Sequence, residues 1–225
     1  MGELFYQFHP TFKDQMYKDK PIAFLDRDGV INVGFDTYVN SPEELELIPG
    51  AAQAIGHLKQ AGFGICVVTN QSPIERGLWN HHRLNAIHEE MLKQIEHIQP
   101  NAIIDLLLAC PHKHSSRCKC RKPEPTMLHY GSYLLRNAEL FEEKHQSYGM
   151  TMNHLNHYSS TNWFGNKPQP IHRFDAMVGD RLSDLGAGWG YGARTYFVNE
   201  NQSLFAISSR VIDLSDEGDH FSPVN

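Results

Sequence analysis

Four short apolar runs, each ending in polar residues, constrain the fold most strongly. They occupy residues 22–25, 64–68, 102–108 and 176–178, and a fifth candidate covers residues 195–198. The runs lack strict polar–apolar alternation, which is typical of strands that are buried on both faces of a parallel sheet. Stretches with helical periodicity lie between them, over residues 51–61, 84–98 and 127–135. Strand–helix alternation predicts an α/β fold, a Rossmann-like open parallel sheet flanked by helices with right-handed crossovers.

The length of 225 residues suits one domain, which we place at residues 1–214. Residues from about 139 to 172 are rich in Asn, His, Ser and Gln. This stretch is too long for an ordinary loop between a helix and a strand, so we interpret it as an insertion. The chain is polar from residue 215, and we expect a frayed, disordered tail over 215–225.

Composition argues against two classes of partner. The net charge is −6, so the chain lacks the basic footprint of a nucleic-acid binder. No run of about 18 apolar residues is present, so no membrane span is expected. The first 20 residues have no apolar segment of the secretory type. We therefore expect a cytoplasmic protein, acting as a monomer on a small molecule.

Carboxylates follow the apolar runs where strands end. Asp26 and Asp28 come directly after the first run, residues 69–71 (Thr-Asn-Gln) follow the second, and Asp180 follows the fourth. Because ligands of open α/β sheets bind at the carboxyl ends of the strands, these groups should converge. The competing interpretation of a single Asp in this position is a helix cap or turn residue. For Asp184 both roles, site residue and helix cap, stay open.

Converging carboxylates suggest a metal-assisted phosphoryl transfer. Asp26 and Asp28 are separated by one residue, so in a strand they point to the same side. One can attack while the other handles a proton. Several acids at one place repel each other unless a cation is present, and carboxylate oxygens suit Mg²⁺. A carboxylate nucleophile with Mg²⁺ predicts a phosphoaspartyl intermediate.

A second cluster combines thiols and an imidazole at short spacing. Three of the four cysteines, Cys110, Cys118 and Cys120, lie within eleven residues beside His112. Four such ligands suit a closed, structural, tetrahedral Zn²⁺ site, with His114 as the alternative imidazole. The predicted zinc-binding loop would deliver Arg121 and Lys122, which follow at once. A zinc module that binds nucleic acid is an alternative, weakened by the acidic charge.

Four segments together resemble a known family. FLDRDGVIN, VVTNQS, CRKPEP and MVGDRLSD are similar to the four ordered motifs of the haloacid-dehalogenase-like phosphatases, over about residues 22 to 198 without the insertion. TNQSPIERG, the CPH…CKCRKP segment and the DRDG form resemble the D-glycero-D-manno-heptose 1,7-bisphosphate 7-phosphatases and the related histidinol-phosphate phosphatases. Residues 72–77 are closer to the heptose type. The resemblance implies a phosphatase with no large cap domain.

The resemblance also implies roles for individual catalytic residues. Asp26 matches the nucleophile and a Mg²⁺ ligand, and Asp28 matches the general acid and base, with its backbone carbonyl on Mg²⁺. Asp180 matches the third metal ligand. Thr69 and Lys122 match positions that stabilise the transferring phosphoryl group, consistent with chemistry that depends on positioning and charge neutralisation.

Further residues match substrate positions of the family. Asn70, Gln71 and Ser72 fall where substrate is contacted, Arg121 matches a substrate-recognising arginine, and Arg181 takes a nearby basic position. An arginine can hold a second phosphate through two hydrogen bonds. We therefore expect a Mg²⁺-dependent phosphatase that acts on a phosphorylated sugar, most simply the heptose bisphosphate at its 7-phosphate. The alternatives are histidinol phosphate or another small phosphomonoester as substrate, and a non-catalytic phosphate-binding protein.

Three departures from the family pattern bear on substrate choice more than on chemistry. Pro73 stands where the family usually has Gly, residues 34–38 form a loop one residue longer than usual, and the insertion is atypical.

Overall fold

A computed structural model of the chain describes residues 4–9, 17–35, 37–137 and 161–223. Over these residues it has one six-stranded sheet in the order β1-β4-β3-β2-β5-β6. The strands are β1 (Phe5–Phe8), β2 (Ile22–Leu25), β3 (Gly64–Asn70), β4 (Leu106–Cys110), β5 (Ala176–Gly179) and β6 (Arg194–Phe197). The helices are α1 (Ala51–Gln60), α2 (His81–Ile98), α3 (Thr126–Arg136), α4 (Leu182–Tyr191) and α5 (Leu204–Ile212). The predicted Rossmann-like α/β class is confirmed.

The sheet is parallel except at one edge. β2 lies near its middle and pairs in parallel with β3 and β5, while β1 pairs antiparallel with β4. The predicted parallel sheet is therefore corrected to a mixed one, because the N-terminal segment adds an edge strand. The run at residues 102–108 also enters the sheet later than predicted, at Leu106. Asp105 just before it turns its carboxylate to the backbone N–H of Ile65, at 2.7 Å, and to Lys59, at 2.9 Å.

Two apolar layers cover the sheet. One face of β2 packs, through Leu25, against α1, α2 and α5, and the other face, through Phe24, packs against α3 and α4. Alternate residues of a strand point to opposite faces, so every residue of β2 is buried. The four buried residues explain why this strand reads as a continuous apolar run. They also place the residue after the strand, Asp26, at a rigid edge.

Helix α4 packs unusually close to its neighbours because of its glycines. A Cβ atom on Gly186 would lie 3.0 Å from Cβ of Pro123, and one on Gly188 would lie 2.8 Å from Cβ of Met177. The first contact brings the loop that carries Lys122 onto the helix, and the second seats the helix on β5. A larger side chain at Gly188 would force α4 or β5 to shift, and one at Gly186 would require Pro123 to give way by a few tenths of an ångström.

The C-terminal segment differs from the expected frayed tail. The backbone N–H of Asp219 donates to the Thr195 carbonyl, and the Asp219 carboxylate accepts from the N–H of Phe197 at 2.8 Å. Arg210 also pairs with Asp216 and Asp219, each at 2.9 Å. Residues 215–219 therefore lie along β6. The carboxylates of Asp216 and Asp219 accept hydrogen bonds from the Arg210 side chain, and Asp219 also accepts from the backbone of β6.

The predicted insertion is described only in part. Residues 139–160 lie outside the described residues, as do residues 224–225 of the tail. Residues 161–172 are described and run without helix or strand. Among the described residues, no helix combines the length and apolarity needed to cross a bilayer.

Candidate functional site

The site lies at the carboxyl edge of the sheet, as the sequence predicts. Asp26 follows β2, Thr69 and Asn70 end β3, and Asp180 follows β5. The loop after β4 brings Lys122 to the same place. This edge of the sheet borders an open pocket of about 400 Å³, with Asp180 outside its lining; the pocket is lined by Asp26, Asp28, Phe35, Thr37, Tyr38, Val39, Thr69, Asn70, Ser72, Arg76, His114, Arg121, Lys122, Pro123, Arg181, Ser183 and Asp184.

A buried lysine lies between two carboxylates at the floor of this pocket. Lys122 Nζ is 2.8 Å from Oδ1 of Asp26 and 2.7 Å from Oδ1 of Asp184, and it donates to the Val68 carbonyl at 2.7 Å. Burial raises the pKa of Asp26 to about 6, with Lys122 opposing the rise and Asp184 adding to it. Burial alone would lower the pKa of Lys122, but the two carboxylates outweigh it and raise that pKa. The lysine is therefore a fixed cation beside Asp26.

Three carboxylates converge beside the lysine. One oxygen each of Asp26, Asp180 and Asp184 lies within 4.8 Å of the others. Asp180 Oδ1 is buried and has no hydrogen-bond partner in the described structure. Burial and the nearby Asp26 raise the pKa of Asp180, although the charges of Arg181 and Lys122 oppose the rise. An orphaned oxygen within a group of hard oxygen donors fits a divalent cation such as Mg²⁺.

The Asp28 carboxylate lines the same pocket but lies outside the cluster of three carboxylates. Arg27 donates to both of its oxygens, at 2.9 Å each, and Asn32 and Gln71 donate at 3.0 and 2.9 Å. Burial would raise the pKa of Asp28, but the Arg27 charge and these hydrogen bonds outweigh it and lower the pKa. The carboxylate faces the pocket in ionised form. Both oxygens of the Asp28 carboxylate are therefore occupied by hydrogen bonds, and a metal contact of its backbone carbonyl stays a prediction.

The two side-chain amides at and after the end of β3 are placed differently from each other. Asn70, expected to contact substrate, lines the pocket, and its amide pairs with the backbone of Lys122, donating at 3.2 Å and accepting at 3.1 Å. Gln71 is 1% exposed, does not line the pocket, and donates to Thr69 Oγ1 at 2.8 Å and to Asp28. Ser72 does line the pocket, 3.3 Å from the Tyr38 hydroxyl.

Basic side chains surround the mouth of the pocket. Arg121 is held by a 2.9 Å hydrogen bond to the His112 carbonyl, and Arg181 projects outward with 63% of its side chain exposed. Both predicted residues line the pocket together with Arg76, which the sequence did not single out, and His114, which it offered only as an alternative zinc ligand. The signal for Arg76 was available, since it lies in the Ile-Glu-Arg-Gly stretch that resembles the heptose-type motif.

The cysteine–histidine segment folds into one compact cluster. Cys120 Sγ lies 3.0 Å from Cys110 Sγ and 3.2 Å from Cys118 Sγ, and 3.8 Å from Nδ1 of His112. One donor atom from each of the four residues falls within 4.8 Å of the others. Three thiols and an imidazole at such separations fit one tetrahedral metal ion. His114, the alternative ligand, lies instead at the pocket mouth.

Comparisons with known proteins agree with this geometry. No protein-family model matches the chain. It is 42% identical over 106 residues to the D-glycero-β-D-manno-heptose-1,7-bisphosphate 7-phosphatase of Bordetella bronchiseptica, covering 47% of this chain and 58% of that protein. It is 33% identical over 165 residues to the D-glycero-α-D-manno-heptose-1,7-bisphosphate 7-phosphatase of Mycobacterium tuberculosis, covering 72% of this chain and 68% of that protein.

A solved structure shows the same fold. The D,D-heptose 1,7-bisphosphate phosphatase of B. bronchiseptica, complexed with magnesium and phosphate, superposes with a TM-score of 0.61 at 26% identity. The superposition covers 85% of this chain and 98% of that protein.

Proposed function

Because the chain belongs to the family of D-glycero-D-manno-heptose 1,7-bisphosphate 7-phosphatases, we propose that it hydrolyses the 7-phosphate of such a sugar bisphosphate. The observation that carries the proposal is the buried Asp26–Lys122 pair at the floor of a pocket with a basic mouth. A carboxylate beside a fixed cation is placed to attack phosphorus, and the cation balances charge on the phosphoryl oxygens.

The reaction divides into two steps on the residues of this chain. In the first, Asp28 has taken up a proton from solvent, an Asp26 oxygen bonds to phosphorus, the bond from phosphorus to the sugar oxygen breaks, and Asp28 gives the leaving oxygen that proton. In the second, water attacks phosphorus, the bond from phosphorus to the Asp26 oxygen breaks, Asp28 takes the water proton, and inorganic phosphate leaves. In both steps the Thr69 hydroxyl donates to a phosphoryl oxygen, and the Lys122 charge balances the charge on the phosphoryl oxygens. Each step keeps its acid and base within one pocket.

The carboxylate cluster provides for a metal ion in this scheme. Asp26, Asp180 and Asp184, with the backbone carbonyl of Asp28, would hold Mg²⁺, because their oxygens converge and Asp180 Oδ1 is otherwise unpaired. When bound, Mg²⁺ neutralises carboxylate and phosphate charge and orients the phosphoryl group.

The cysteine cluster has a different role. Cys110, His112, Cys118 and Cys120 would hold one Zn²⁺ in a closed site whose four positions are all taken by protein. The segment ends directly before Arg121 and Lys122, so its folding decides where these two cations lie. Free thiols that serve as ligands also favour a reducing compartment, which supports a cytoplasmic location.

The basic mouth discriminates between the candidate substrates. Arg76, Arg121, Arg181 and His114 can receive a second phosphate, as a bisphosphate requires. Histidinol phosphate would instead bring an ammonium group towards these cations. The pocket therefore favours a sugar bisphosphate over the histidinol-phosphate alternative.

A phosphate-release screen tests the proposed function. The panel contains both anomers of the heptose 1,7-bisphosphate, the heptose 7-phosphate, histidinol phosphate and a nucleotide, each with Mg²⁺. We expect the highest kcat/KM for a bisphosphate anomer. Arg121→Met should raise KM for the bisphosphate at least about tenfold but change KM for the 7-monophosphate little, since only the former has a second phosphate to lose. A preference for histidinol phosphate, or no phosphate release from any substrate, would reject the proposal.

A further inference from the structure

Gln71 lies beneath the pocket and touches two residues with proposed catalytic roles. Its side-chain nitrogen is 2.9 Å from Asp28 Oδ2 and 2.8 Å from Thr69 Oγ1. The residue is 1% exposed and is absent from the pocket lining. A buried side chain in this location cannot reach a substrate, although it adjoins both the acid–base group and the hydroxyl that faces the phosphoryl group.

The chemistry of the amide determines the direction of both hydrogen bonds. A side-chain NH₂ group has two hydrogens and only donates. Asp28 accepts one hydrogen as a carboxylate. Thr69 Oγ1 must then accept the other, and its own hydrogen is left to donate elsewhere. Thr69 lines the pocket, so that hydrogen is available to a phosphoryl oxygen.

From these contacts we propose that Gln71 is a positioning residue, whose amide fixes Asp28 and makes the Thr69 hydroxyl a donor into the pocket. The proposal deepens the proposed function and rests on it. Gln71 was expected to contact substrate; in this proposal it instead orients Asp28 and Thr69. The amide joins the end of β3 to the loop after β2, so the acid–base group and the hydroxyl keep one relative geometry.

Two substitutions of similar volume test the direction of the hydrogen bond. Gln71→Met keeps the volume and removes both donors. Gln71→Glu, when ionised, offers only acceptors, so Thr69 would donate to Glu and not to the phosphoryl oxygen. We expect kcat to fall at least about tenfold in the Met variant and further in the Glu variant, with KM within about threefold of the wild type. Thermal unfolding of each variant checks the fold, and the Met variant alone decides the test if the Glu variant does not fold.

A double-mutant cycle separates positioning from general support of the fold. In a Thr69→Val background the hydroxyl is gone, so Gln71→Met should cost clearly less in kcat than it does in the wild type. Unchanged kinetics in both Gln71 variants, a rise in KM at constant kcat, or full additivity with Thr69→Val would each overturn the proposal. The rise in KM would restore substrate contact as the role of Gln71.

One measurement is independent of the substrate. The Gln71 side-chain NH₂ resonances, assigned by their loss in Gln71→Met, should exchange slowly with solvent in the wild type and faster in Thr69→Val. If no phosphomonoester is hydrolysed, the proposed function fails, and this exchange experiment alone decides the Gln71 proposal. Rapid exchange of both hydrogens in the wild type would refute it.

Discussion

Lys122 Nζ lies 2.7 Å from Oδ1 of Asp184, and each side chain is 1% exposed. The second oxygen of Asp184 accepts the backbone N–H of Arg181 at 2.9 Å, at the first turn of α4. Both roles that the sequence left open for Asp184 are therefore present at once, helix cap and site residue. The ion pair joins the loop after the cysteine cluster to a helix that follows more than 50 residues later in the chain.

Replacement of this lysine should destabilise the fold as well as stop turnover. Lys122→Met leaves Asp26 and Asp184 buried without their shared cation, and the loss of one partner from a buried ion pair lowers the free energy of unfolding by about 3–5 kcal/mol. Urea unfolding without divalent metal measures the change. The double variant Lys122→Met/Asp184→Asn should recover part of the loss, because one uncompensated charge is gone. A Lys122→Met protein as stable as the wild type would contradict the proposed role of the ion pairs.

Removal of the proposed nucleophile should abolish turnover without harm to the fold. Asp26→Asn keeps the shape of the side chain but lacks the attacking charge, so we expect kcat to fall at least about 10³-fold. The melting temperature should stay near that of the wild type, since a like-charge contact with Asp184 also disappears. Asp219→Asn, outside the pocket, is the matched control and should retain activity. Near-normal turnover of purified Asp26→Asn would exclude Asp26 as the nucleophile.

Loss of one thiol from the cysteine cluster should release its metal. Cys118→Ser is expected to lower zinc content towards zero and to lower the melting temperature, because metal binding at such a site is folding free energy. Turnover should fall indirectly, since Arg121 and Lys122 lose their support, while Mg²⁺ affinity changes much less. Cys66→Ala, a buried cysteine outside the cluster, is the control and should keep its zinc. Elemental analysis is the measurement, and a fully active wild-type protein without zinc would reject the site.

A chelator should remove the proposed Mg²⁺ but leave the proposed Zn²⁺ in place. The carboxylates of the Mg²⁺ site border an open pocket, whereas Cys110 and Cys120 are fully buried. Brief EDTA treatment should therefore abolish phosphate release, and Mg²⁺ alone should restore it. Zinc analysis of the treated protein is the control and should show the metal retained. Full activity after rigorous removal of Mg²⁺ would contradict this division of roles.

His88 should make the fold sensitive to mild acid. Burial, reinforced by the Arg27 charge, lowers the pKa of His88 to about 3, against an ordinary value of 6.5. Below pH 6.5 the unfolded chain takes up a proton that the folded chain does not, so the free energy of unfolding falls as the pH decreases. Between pH 7 and 5 the contribution is about 2 kcal/mol, measurable by urea unfolding. His88→Gln should remove that slope, while His97→Gln, exposed on the same helix, should leave it. An equal slope in wild type and His88→Gln would disprove the assignment.

The strands that carry the site are predictable because their signals are local. A buried run followed by an aspartate marks the ends of β2 and β5, and sheet geometry then brings Asp26 and Asp180 together. The edge strand β1 is harder to predict from the sequence. Its pairing with β4 joins segments about 100 residues apart, and it depends on contacts beyond the four residues of the strand. Helix α4 was expected only as the helix that Asp184 could cap, and its length could not be predicted because alternating glycines interrupt the apolar periodicity.

The orientation of the two amides could not be predicted for a related reason. A Thr-Asn-Gln segment at a strand end shows that polar groups reach the site, but not which way each side chain turns. Asn70 bonds to a backbone 52 residues away, and Gln71 to a carboxylate 43 residues away. Only the assembled fold brings these partners within reach.

The glycines of α4 have a consequence for the order in which the molecule assembles. Each glycine in a helix interior disfavours the helix by about 1 kcal/mol relative to alanine, so α4 is a weak helix on its own. It gains its order from close contacts with β5 and with Pro123. Asp184 and Lys122 can therefore meet only after the sheet and the loop before α3 have docked. We expect the active site to be completed late in folding, after the nucleus formed by the central strands.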